Sequence, residues 1–479
     1  MTIRVILPVL LLLNPCWYVR SLEAYQTGTQ IGLSVVELYD FGEVYTGMHS
    51  DVQFYDVSAH GLTNNLVIEA PAPFRISLNC YADFDQTITL QHISGTVATT
   101  RIFVRFFPQS TGKTETTISH NSDGLPDKTV TVSATGVESL IPHDYYHTAT
   151  GGGSRLKRQL HEIITNHQIQ TYGSLWHHFK STDASFSGHV WDIYSDTPCE
   201  PPPYIYTFGE DQDPGTGGGN EGEYFNREHT MPRSWFGGAI DPMNTDLYHI
   251  YPVDKWVNAL RDNYPFGEVR SPSKVTLNGG KLGNNARPGY TGIVFEPIDA
   301  YKGDLARSFF YMVTRYQDQI ESWTYSQEGM AMLNNTKYPG YEKWALEMLL
   351  EWHELDPVSQ KEINRNNAVH QIQGNRNPFV DYPEFVQRIW ADTTTNISYA
   401  NHHNTFTLYP NPTQNHLTIN GPAQYINLTL ISMHGNTIYS HTKAKTGTKF
   451  ILPSLTPGPY IVRIESDVSI HHLITIIKP

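Results

Sequence analysis

The chain has 479 residues, which is more than one typical domain needs, so we expect two to four domains. Its content of 39% hydrophobic and 17% charged residues is ordinary for a folded soluble protein. The net charge of −14 argues against a protein that holds nucleic acid by overall positive charge, although a local basic cleft and a bound cation can still supply the positive potential that such a ligand needs.

The N-terminus has the features of a secretory signal peptide, which we assign to residues 1–24. Met1–Arg4 is a short basic start, and Val5–Leu13 is an apolar run too short to span a bilayer. Cleavage after Ser21 or Ala24 remains open. No later segment is long and apolar enough for a membrane helix, so we expect a secreted or surface-exposed protein.

Residues 25–140 alternate short strand-like runs with turns, which predicts an antiparallel β-sandwich. The runs are Val35–Leu38, Thr87–Leu90, Arg101–Phe106 and Thr129–Val132. Together with DFGEVYTG at 40–47, APAPFRIS at 70–77 and VRFFPQSTG at 104–112, this segment resembles the immunoglobulin-like modules of the ASH type. The resemblance implies a fold and no chemistry.

Two cysteines remain if Cys16 leaves with the signal peptide. Cys80 and Cys199 fall in different predicted domains. Their spacing leaves open two unpaired thiols or a single bridge, and it predicts no framework of several disulfides.

Residues 141–391 have a different texture, typical of a mixed α/β domain. Apolar residues recur at three-to-four spacing in Arg155–Asn166 and in Tyr341–Leu355, which predicts helices. Long loops rich in Gly, Pro and Asn separate them, and Thr207–Glu223 is flexible by composition.

The residues that suggest chemistry lie in FNREHTMPRSWF at 225–236 and DLYHIYPVDKWVNALRDNYPFGEV at 246–269. Hydrolysis of a phosphodiester by water needs a base and a cation, and His, carboxylate and amide oxygen are suitable groups. Glu228 and His229 are adjacent on a predicted strand, so their side chains diverge, and one can bind metal while the other faces the water. Asn258 follows on a helix that Pro252 can start, and its amide oxygen is a second ligand.

Two further motifs follow in the chain, GDLARSFFYMVTRY at 303–316 and LLEWHELDPVSQKEINRNNAVHQIQGNRNPFVDYPE at 349–384. The four motifs in this order resemble the bacterial endonuclease I family, the periplasmic and extracellular DNases of the His-Me finger, or ββα-metal, class. The resemblance implies that His229 is the general base, and that Glu228 and Asn258 bind one Mg²⁺, with Mn²⁺ or Ca²⁺ as alternatives. It further implies a DNA substrate, with RNA as a second candidate, and products with 5′-phosphate and 3′-hydroxyl ends.

Other polar residues near these motifs have plainer interpretations. A Glu-His pair by itself is more often a surface pair than a site, and only the accompanying motifs favour the catalytic interpretation. His249 is predicted to pack in support of the finger. Asp254 is predicted to be an exposed carboxylate at a helix start rather than a metal contact.

Arg261 and Arg307 are our candidates for catalytic phosphate contacts, because guanidinium matches phosphate in a two-pronged way. Structural ion pairs with nearby acidic residues are comparably plausible for these arginines. Some family members carry an arginine between the two leading motifs, but residues 237–245 hold none here. Which residue makes the corresponding phosphate contact therefore stays open. For the large aromatic residues Trp235, Trp352 and Tyr316, core packing is favoured over base stacking.

Residues 392–403 are predicted to be a linker, and residues 404–479 a small β-sandwich. LYPNPTQNHLTI at 408–419, LTLISMHGNTIYS at 428–440, LTPGPYIVRI at 455–464 and the terminal ITIIKP resemble the C-terminal sorting domain of the type IX secretion system. The resemblance implies the type IX machinery as a partner, export past the outer membrane, and cleavage of this domain.

The sequence thus predicts a multidomain α+β protein with a β-sandwich, a ββα-metal finger nuclease domain and a small C-terminal β-sandwich. The leading function is that of a secreted metal-dependent endonuclease with little sequence specificity. The alternative is a surface adhesin or scaffold protein whose nuclease-like domain is inactive. Chelation separates the two, because an adhesin should ignore EDTA.

Overall fold

The computed structural model describes residues 30–396 and, towards the C-terminus, 407–409, 416–420, 425–432, 437–452, 458–465 and 470–477. The predicted signal peptide lies outside the described residues, as does the predicted linker from residue 397 onward.

The N-terminal domain consists of two sheets that share one hydrophobic core. Its described strands are β1 (Gln30–Leu33), β2 (Glu43–Tyr45), β3 (Gln53–His60), β4 (Leu66–Glu69), β5 (Phe74–Ser77), β6 (Thr87–Leu90), β7 (Val97–Phe106), β8 (Gly112–Asn121) and β9 (Lys128–Val137). The sheet orders are β1-β3-β7-β5 and β2-β9-β8-β4-β6. In β9 the buried residues Val130, Val132 and Ala134 alternate with more exposed ones, because successive side chains of a strand point to opposite faces.

Three of the four predicted runs in this region coincide with strands or parts of strands. The exception is Val35–Leu38, which forms only an isolated bridge, from Glu37 to Thr131 of β9. Val36 in this run is 76% exposed. Apolar composition alone was therefore not enough to place the run in a sheet.

The central domain surrounds a buried helix with further helices, a three-stranded sheet and a short hairpin. Its described elements are α1 (Gly153–Ile164), α2 (Leu175–Thr182), β10 (Phe225–His229), β11 (Ile250–Asp254), α3 (Lys255–Arg261), β12 (Val269–Val275), β13 (Lys281–Asn285), β14 (Ile293–Glu296), α4 (Lys302–Arg315), α5 (Gln327–Met332), α6 (Lys343–Leu355), α7 (Gln360–Gln373), α8 (Pro378–Asp381) and α9 (Glu384–Asn396). Every residue of α4 is buried, which makes it the centre of the domain. The predicted helices over 155–166 and 341–355 are present as α1 and α6.

The hairpin β10–β11 and the helix α3 form one continuous unit. The two strands pair antiparallel, with Glu228 opposite Tyr251, and α3 follows β11 without a connecting loop. The prediction that Pro252 starts the helix is wrong, because Pro252 pairs within β11 and the helix begins at Lys255. Asp254 caps the helix instead, since its Oδ1 accepts a hydrogen bond of 2.7 Å from the backbone N–H of Val257.

Asp254 lies at the helix start, as predicted, but it is fully buried rather than exposed. Its Oδ2 accepts hydrogen bonds from the Tyr206 hydroxyl at 2.6 Å and from the Gly222 N–H at 2.7 Å. These bonds tie the Gly-rich loop over 207–223 to the start of α3.

The C-terminal region contains two small sheets. Its described strands are β15 (Thr407–Tyr409), β16 (His416–Asn420), β17 (Tyr425–Ser432), β18 (Thr437–Lys445), β19 (Lys449–Ile451), β20 (Gly458–Glu465) and β21 (Ile470–Ile477). The sheet orders are β15-β16-β19 and β18-β17-β20-β21. Helix α9 reaches Asn396 and so extends into the predicted linker. Within the described residues, no helix combines the length and the apolar composition needed to cross a membrane.

A disulfide joins the N-terminal domain to the central domain. Cys80 and Cys199 are bonded, with their Cα atoms 5.7 Å apart, which decides the pairing that the sequence left open. Polar contacts accompany the bridge. The Tyr45 backbone N–H donates to Gln360 at 3.1 Å, Asn367 donates to the Tyr45 hydroxyl at 2.9 Å, and Arg101 donates to the Cys199 carbonyl oxygen at 3.2 Å.

We expect the Cys80→Ser/Cys199→Ser protein to be less stable by about 2–4 kcal/mol, because the crosslink restricts the unfolded chain over a separation of 119 residues. Thermal unfolding followed by calorimetry should show a lower Tm. The wild-type protein in reducing agent should shift in the same way. An unchanged Tm in both samples would contradict a structural role for the bridge.

Candidate active site

A cleft of about 770 Å³ opens beside the hairpin β10–β11 and the helix α3. Of the five residues predicted to be functional, four line it: Glu228, His229, Asn258 and Arg261. The fifth, Arg307, does not line this cleft.

His229 presents one ring nitrogen to the cleft. Its Nε2 lies 3.1 Å from the carbonyl oxygen of Asn244, which can only accept, so Nε2 carries the hydrogen. Nδ1 makes no hydrogen bond within the described part of the chain and keeps its lone pair. Burial lowers the pKa of His229 well below its usual range, so the ring is neutral near pH 7.

Glu228 is buried, with one carboxylate oxygen bonded and the other unpartnered. Oε1 accepts hydrogen bonds from the Tyr194 hydroxyl at 3.0 Å and from Nη1 of Arg261 at 3.1 Å. Oε2 has no partner among the described residues. Burial raises the pKa of Glu228 to about 7, while Arg261 and Tyr194 act in the opposite direction. A cation beside Oε2 would favour the ionised carboxylate.

Asn258, in the middle of α3, is oriented by its amide nitrogen. Nδ2 donates to the side-chain oxygen of Asn226 at 2.7 Å and is 3.4 Å from the Arg227 carbonyl oxygen. The amide oxygen Oδ1 has no bonded partner within the described residues. One carboxylate oxygen and one amide oxygen are therefore available in the same cleft.

These two oxygens suit a hard divalent cation. No group of three or more His, Cys, Asp or Glu side chains within the described chain could hold a metal, so a cage made only of such ligands is absent there. Mg²⁺ usually binds proteins through one or two oxygen ligands and keeps several waters. The donor set of Glu228 and Asn258 fits that pattern.

Arg261 is buried and holds the strand that carries Glu228 and His229. Besides Glu228, its guanidinium donates to the His229 carbonyl oxygen at 3.1 Å and to the Thr230 carbonyl oxygen at 2.6 Å, and it lies 4.5 Å from the ring centre of Phe266. These bonds place Arg261 as a positioning residue between α3 and β10. Its predicted phosphate contact remains a prediction.

Arg307 is fully buried in α4 and forms a structural cluster outside the cleft. It bonds both carboxylate oxygens of Glu362, at 2.6 and 2.7 Å, lies 3.4 Å from Asp304, and donates to the Asp356 carbonyl oxygen at 2.8 Å. The structure does not bring Arg307 to the other candidates. The alternative given for it, a structural ion pair with nearby acidic residues, is what the geometry shows.

Other interpretations also have clear outcomes. His249 is fully buried, its Nε2 lies 2.6 Å from the Met243 carbonyl oxygen, and its ring packs edge-on against His229 at 5.4 Å. The predicted supporting role fits this geometry. The aromatic residues predicted to pack in the core are fully buried: Trp235, Trp352 and Tyr316.

The cleft-lining residues that sequence reasoning overlooked include Tyr172, Trp176, Arg227 and Arg233. Arg227 and Arg233 were present in the quoted motif, and Arg227 shares the strand alternation of His229. That alternation was the available signal. Tyr172 and Trp176 come from a distant segment, and no local pattern connects them to the motif.

The Endonuclease I family model matches residues 152–384, and a Secretion system C-terminal sorting domain model matches residues 407–478. An extracellular ribonuclease of Bacillus amyloliquefaciens is 34% identical over 267 residues, which cover 54% of this chain and 82% of that protein. The chain belongs to the Endonuclease I family. With the sorting domain, it is an exported endonuclease of the extracellular space or cell surface.

Further relatives of this endonuclease are named either as ribonucleases or as endonucleases. An extracellular ribonuclease of Bacillus subtilis strain 168 is 32% identical, covering 59% of this chain and 92% of that protein. Endonuclease-1 of Buchnera aphidicola subsp. Baizongia pistaciae is 25% identical, and the match covers 32% of this chain and 60% of that protein. Among solved structures, the ASH / PapD-like domain of human CEP192 matches at 12% identity and a TM-score of 0.17, covering 28% of this chain and 98% of that chain. That score is too low to assign a fold.

We expect Arg261→Met to destabilise the endonuclease by about 3–5 kcal/mol, because it removes the cationic partner of the buried Glu228 carboxylate and the side-chain donor to two carbonyl oxygens. Adding Glu228→Gln should recover part of the loss, since it removes the uncompensated charge. Urea denaturation measures both. Undiminished stability of Arg261→Met together with lost cleavage would instead favour a direct phosphate contact.

Proposed function

We propose that the protein hydrolyses internal phosphodiester bonds of DNA, and secondarily of RNA, with little sequence specificity. In this proposal His229 is the general base, and one Mg²⁺ is bound by Glu228 and Asn258. The observation that carries the proposal is the shared cleft, whose lining residues include one imidazole with a free nitrogen lone pair and two side chains with an unpartnered oxygen.

His229 is suited to accept a proton from water. The Asn244 carbonyl oxygen fixes the tautomer, because it requires the hydrogen on Nε2 and leaves Nδ1 as the acceptor. As Nδ1 takes the proton, the positive charge that develops on the ring is shared with that carbonyl through Nε2–H. The ring is also held by Tyr172, whose plane is tilted 24° from it.

Glu228 and Asn258 would hold the cation. The Tyr194 and Arg261 bonds to Oε1 leave Oε2 of Glu228 for a ligand, and the Asn226 bond to Nδ2 leaves Oδ1 of Asn258 for the same purpose. When bound, Mg²⁺ would neutralise charge on the phosphate and on the leaving oxygen. Mn²⁺ and Ca²⁺ accept the same oxygen ligands and are the alternative occupants.

The classes of nucleic acid that can be substrates depend on whether the nucleophile is an external water molecule. Attack by an external water needs no ribose 2′-hydroxyl, so DNA and RNA are both within the chemistry. Names of the relatives include both ribonuclease and endonuclease. The resemblance to the family leads us to expect products with 5′-phosphate and 3′-hydroxyl ends.

The full-length protein should nick supercoiled plasmid in the presence of Mg²⁺ and stop in EDTA. His229→Ala should lower the rate by about 10²–10⁴-fold, the usual contribution of a general base. His249→Ala is not a neutral control, because that ring packs on His229, whereas Arg270→Gln alters an exposed guanidinium outside the cleft and should retain activity. Full activity of His229→Ala would refute its role as the base.

Asn258→Ala should raise the Mg²⁺ concentration needed for half-maximal cleavage, because it removes one of two protein ligands. We expect a shift of about 10-fold or more, in the range that weakened metal coordination usually gives. Titration of Mg²⁺ at fixed plasmid concentration measures it. An unchanged metal requirement would remove Asn258 from the metal site.

The alternative function is a surface adhesin or scaffold protein with an inactive nuclease-like domain. Folded wild-type protein that never cuts DNA or RNA, with any of the three cations, would favour it over the proposal. The N-terminal domain would then be the place to search for a binding partner.

A further inference from the structure

Three arginines line the cleft, and they differ in what they bind. Arg261 donates to Glu228 and to two backbone carbonyl oxygens, while its Nε has no partner among the described residues. Arg227 and Arg233 have no carboxylate within ion-pair distance among the described residues. Arg227 is half-buried and Arg233 is exposed. Two cationic groups therefore face the cleft without a protein counterion.

Tyr172 holds both of these guanidinium groups. Its ring centre lies 3.6 Å from Cζ of Arg227 and 5.7 Å from Cζ of Arg233. Arg227 also lies 4.3 Å from the ring centre of Trp176 and donates to the Tyr172 carbonyl oxygen at 2.7 Å. Aromatic faces attract cations without neutralising them, so this arrangement positions the charges and leaves them available.

The acidic side chains near the pair form no ion pair with it among the described residues. The carboxylate of Asp213 also lines the cleft, but its Oδ1 is taken by Lys255 at 2.7 Å. Burial lowers the pKa of Arg227 and repulsion from Arg233 acts in the same direction, while Tyr172 and Asp213 act in the opposite direction. Two like charges gathered on one ring cost free energy that an anion in the cleft would offset.

The pair lies on the same side of β10 as the candidate base. Arg227 and His229 are two residues apart on this strand, so their side chains share a face. Tyr172 links them, since its ring also stacks against His229 with centres 6.1 Å apart. Glu228 lies on the opposite face, towards Tyr194 and Arg261.

We propose that Arg227 and Arg233, braced by Tyr172, form a binding site for a backbone phosphate of the substrate nucleic acid on the His229 side of the cleft. The site rests on the proposed nuclease function and fills the role for which residues 237–245 offer no arginine. Each guanidinium donates hydrogen bonds to phosphate oxygens, and the planar fork suits two oxygens at once.

The experiment measures binding without cleavage. Full-length His229→Ala protein in EDTA is titrated against a fluorescein-labelled DNA duplex over a range of salt concentrations. Adding Arg227→Gln or Arg233→Gln should weaken binding about tenfold, since a charge-assisted hydrogen bond is lost, and should reduce the salt slope by about one. Arg270→Gln is the matched control, because it removes an exposed arginine of β12 outside the cleft and should leave affinity unchanged.

Tyr172 is tested as a positioning residue. Tyr172→Phe keeps the ring and should bind the duplex like the parent. Tyr172→Leu removes the aromatic face and should weaken binding and reduce the salt slope in the same direction as Arg227→Gln. The reduced salt slope of Tyr172→Leu is the deciding readout, because loss of packing volume alone removes no charge contact with phosphate.

Unchanged affinity and salt slope in Arg233→Gln would overturn the proposal. This variant changes an exposed side chain, so it should fold even if Arg227→Gln does not. If Arg233→Gln weakened binding of inorganic phosphate but left duplex binding unchanged, the site would be one for free phosphate. That result would also overturn the proposal. Cleavage of plasmid by the wild-type protein is scored separately, so failure of the nuclease function and failure of this site are distinguishable.

Discussion

The cleft depends on the hydrogen bonds that the buried guanidinium of Arg261 donates. The guanidinium reaches from α3 to β10 and bonds the Glu228 carboxylate together with the carbonyl oxygens of His229 and Thr230. A single side chain thus fixes both the candidate metal ligand and the backbone of the candidate base. Because a buried charge is tolerated only when it is paired and hydrogen-bonded, this contact keeps the hairpin and the helix in one arrangement.

Burial then sets the protonation states in the cleft. The same loss of water that favours the neutral form of His229 also opposes ionisation of Glu228. The remaining hydrogen bonds determine which atoms of His229 and Asn258 have no protein partner. Asn244 occupies Nε2 of His229, and Asn226 occupies the amide nitrogen of Asn258.

The pairing of the arginines separates structural from functional candidates more clearly than their positions in motifs do. Arg307, Arg365 and Arg376 each form a buried ion pair, with Glu362, Asp183 and Asp381 respectively. The arginines on Tyr172 have aromatic faces in place of carboxylates. A protein gains little from leaving cations unpaired unless an anion completes them, and a nucleic acid supplies that anion at every nucleotide.

The sequence by itself determined the family, the order of the segments, and the identity of Glu228, His229 and Asn258 as candidates. It could do so because strand alternation and helix periodicity are local, and because the motifs are contiguous. Even locally it misplaced the start of α3, since Pro252 suits a helix start and also a position in β11.

Only the tertiary structure decided which polar groups are satisfied. Arg261 and Arg307 are equivalent candidates in the sequence, and their different partners come from elements far apart in the chain. Tyr172 reaches Arg227 from a segment 55 residues away, and Cys80 meets Cys199 across 119 residues. Pairing, burial and a free lone pair are properties of atoms brought together by packing, and no local pattern encodes them.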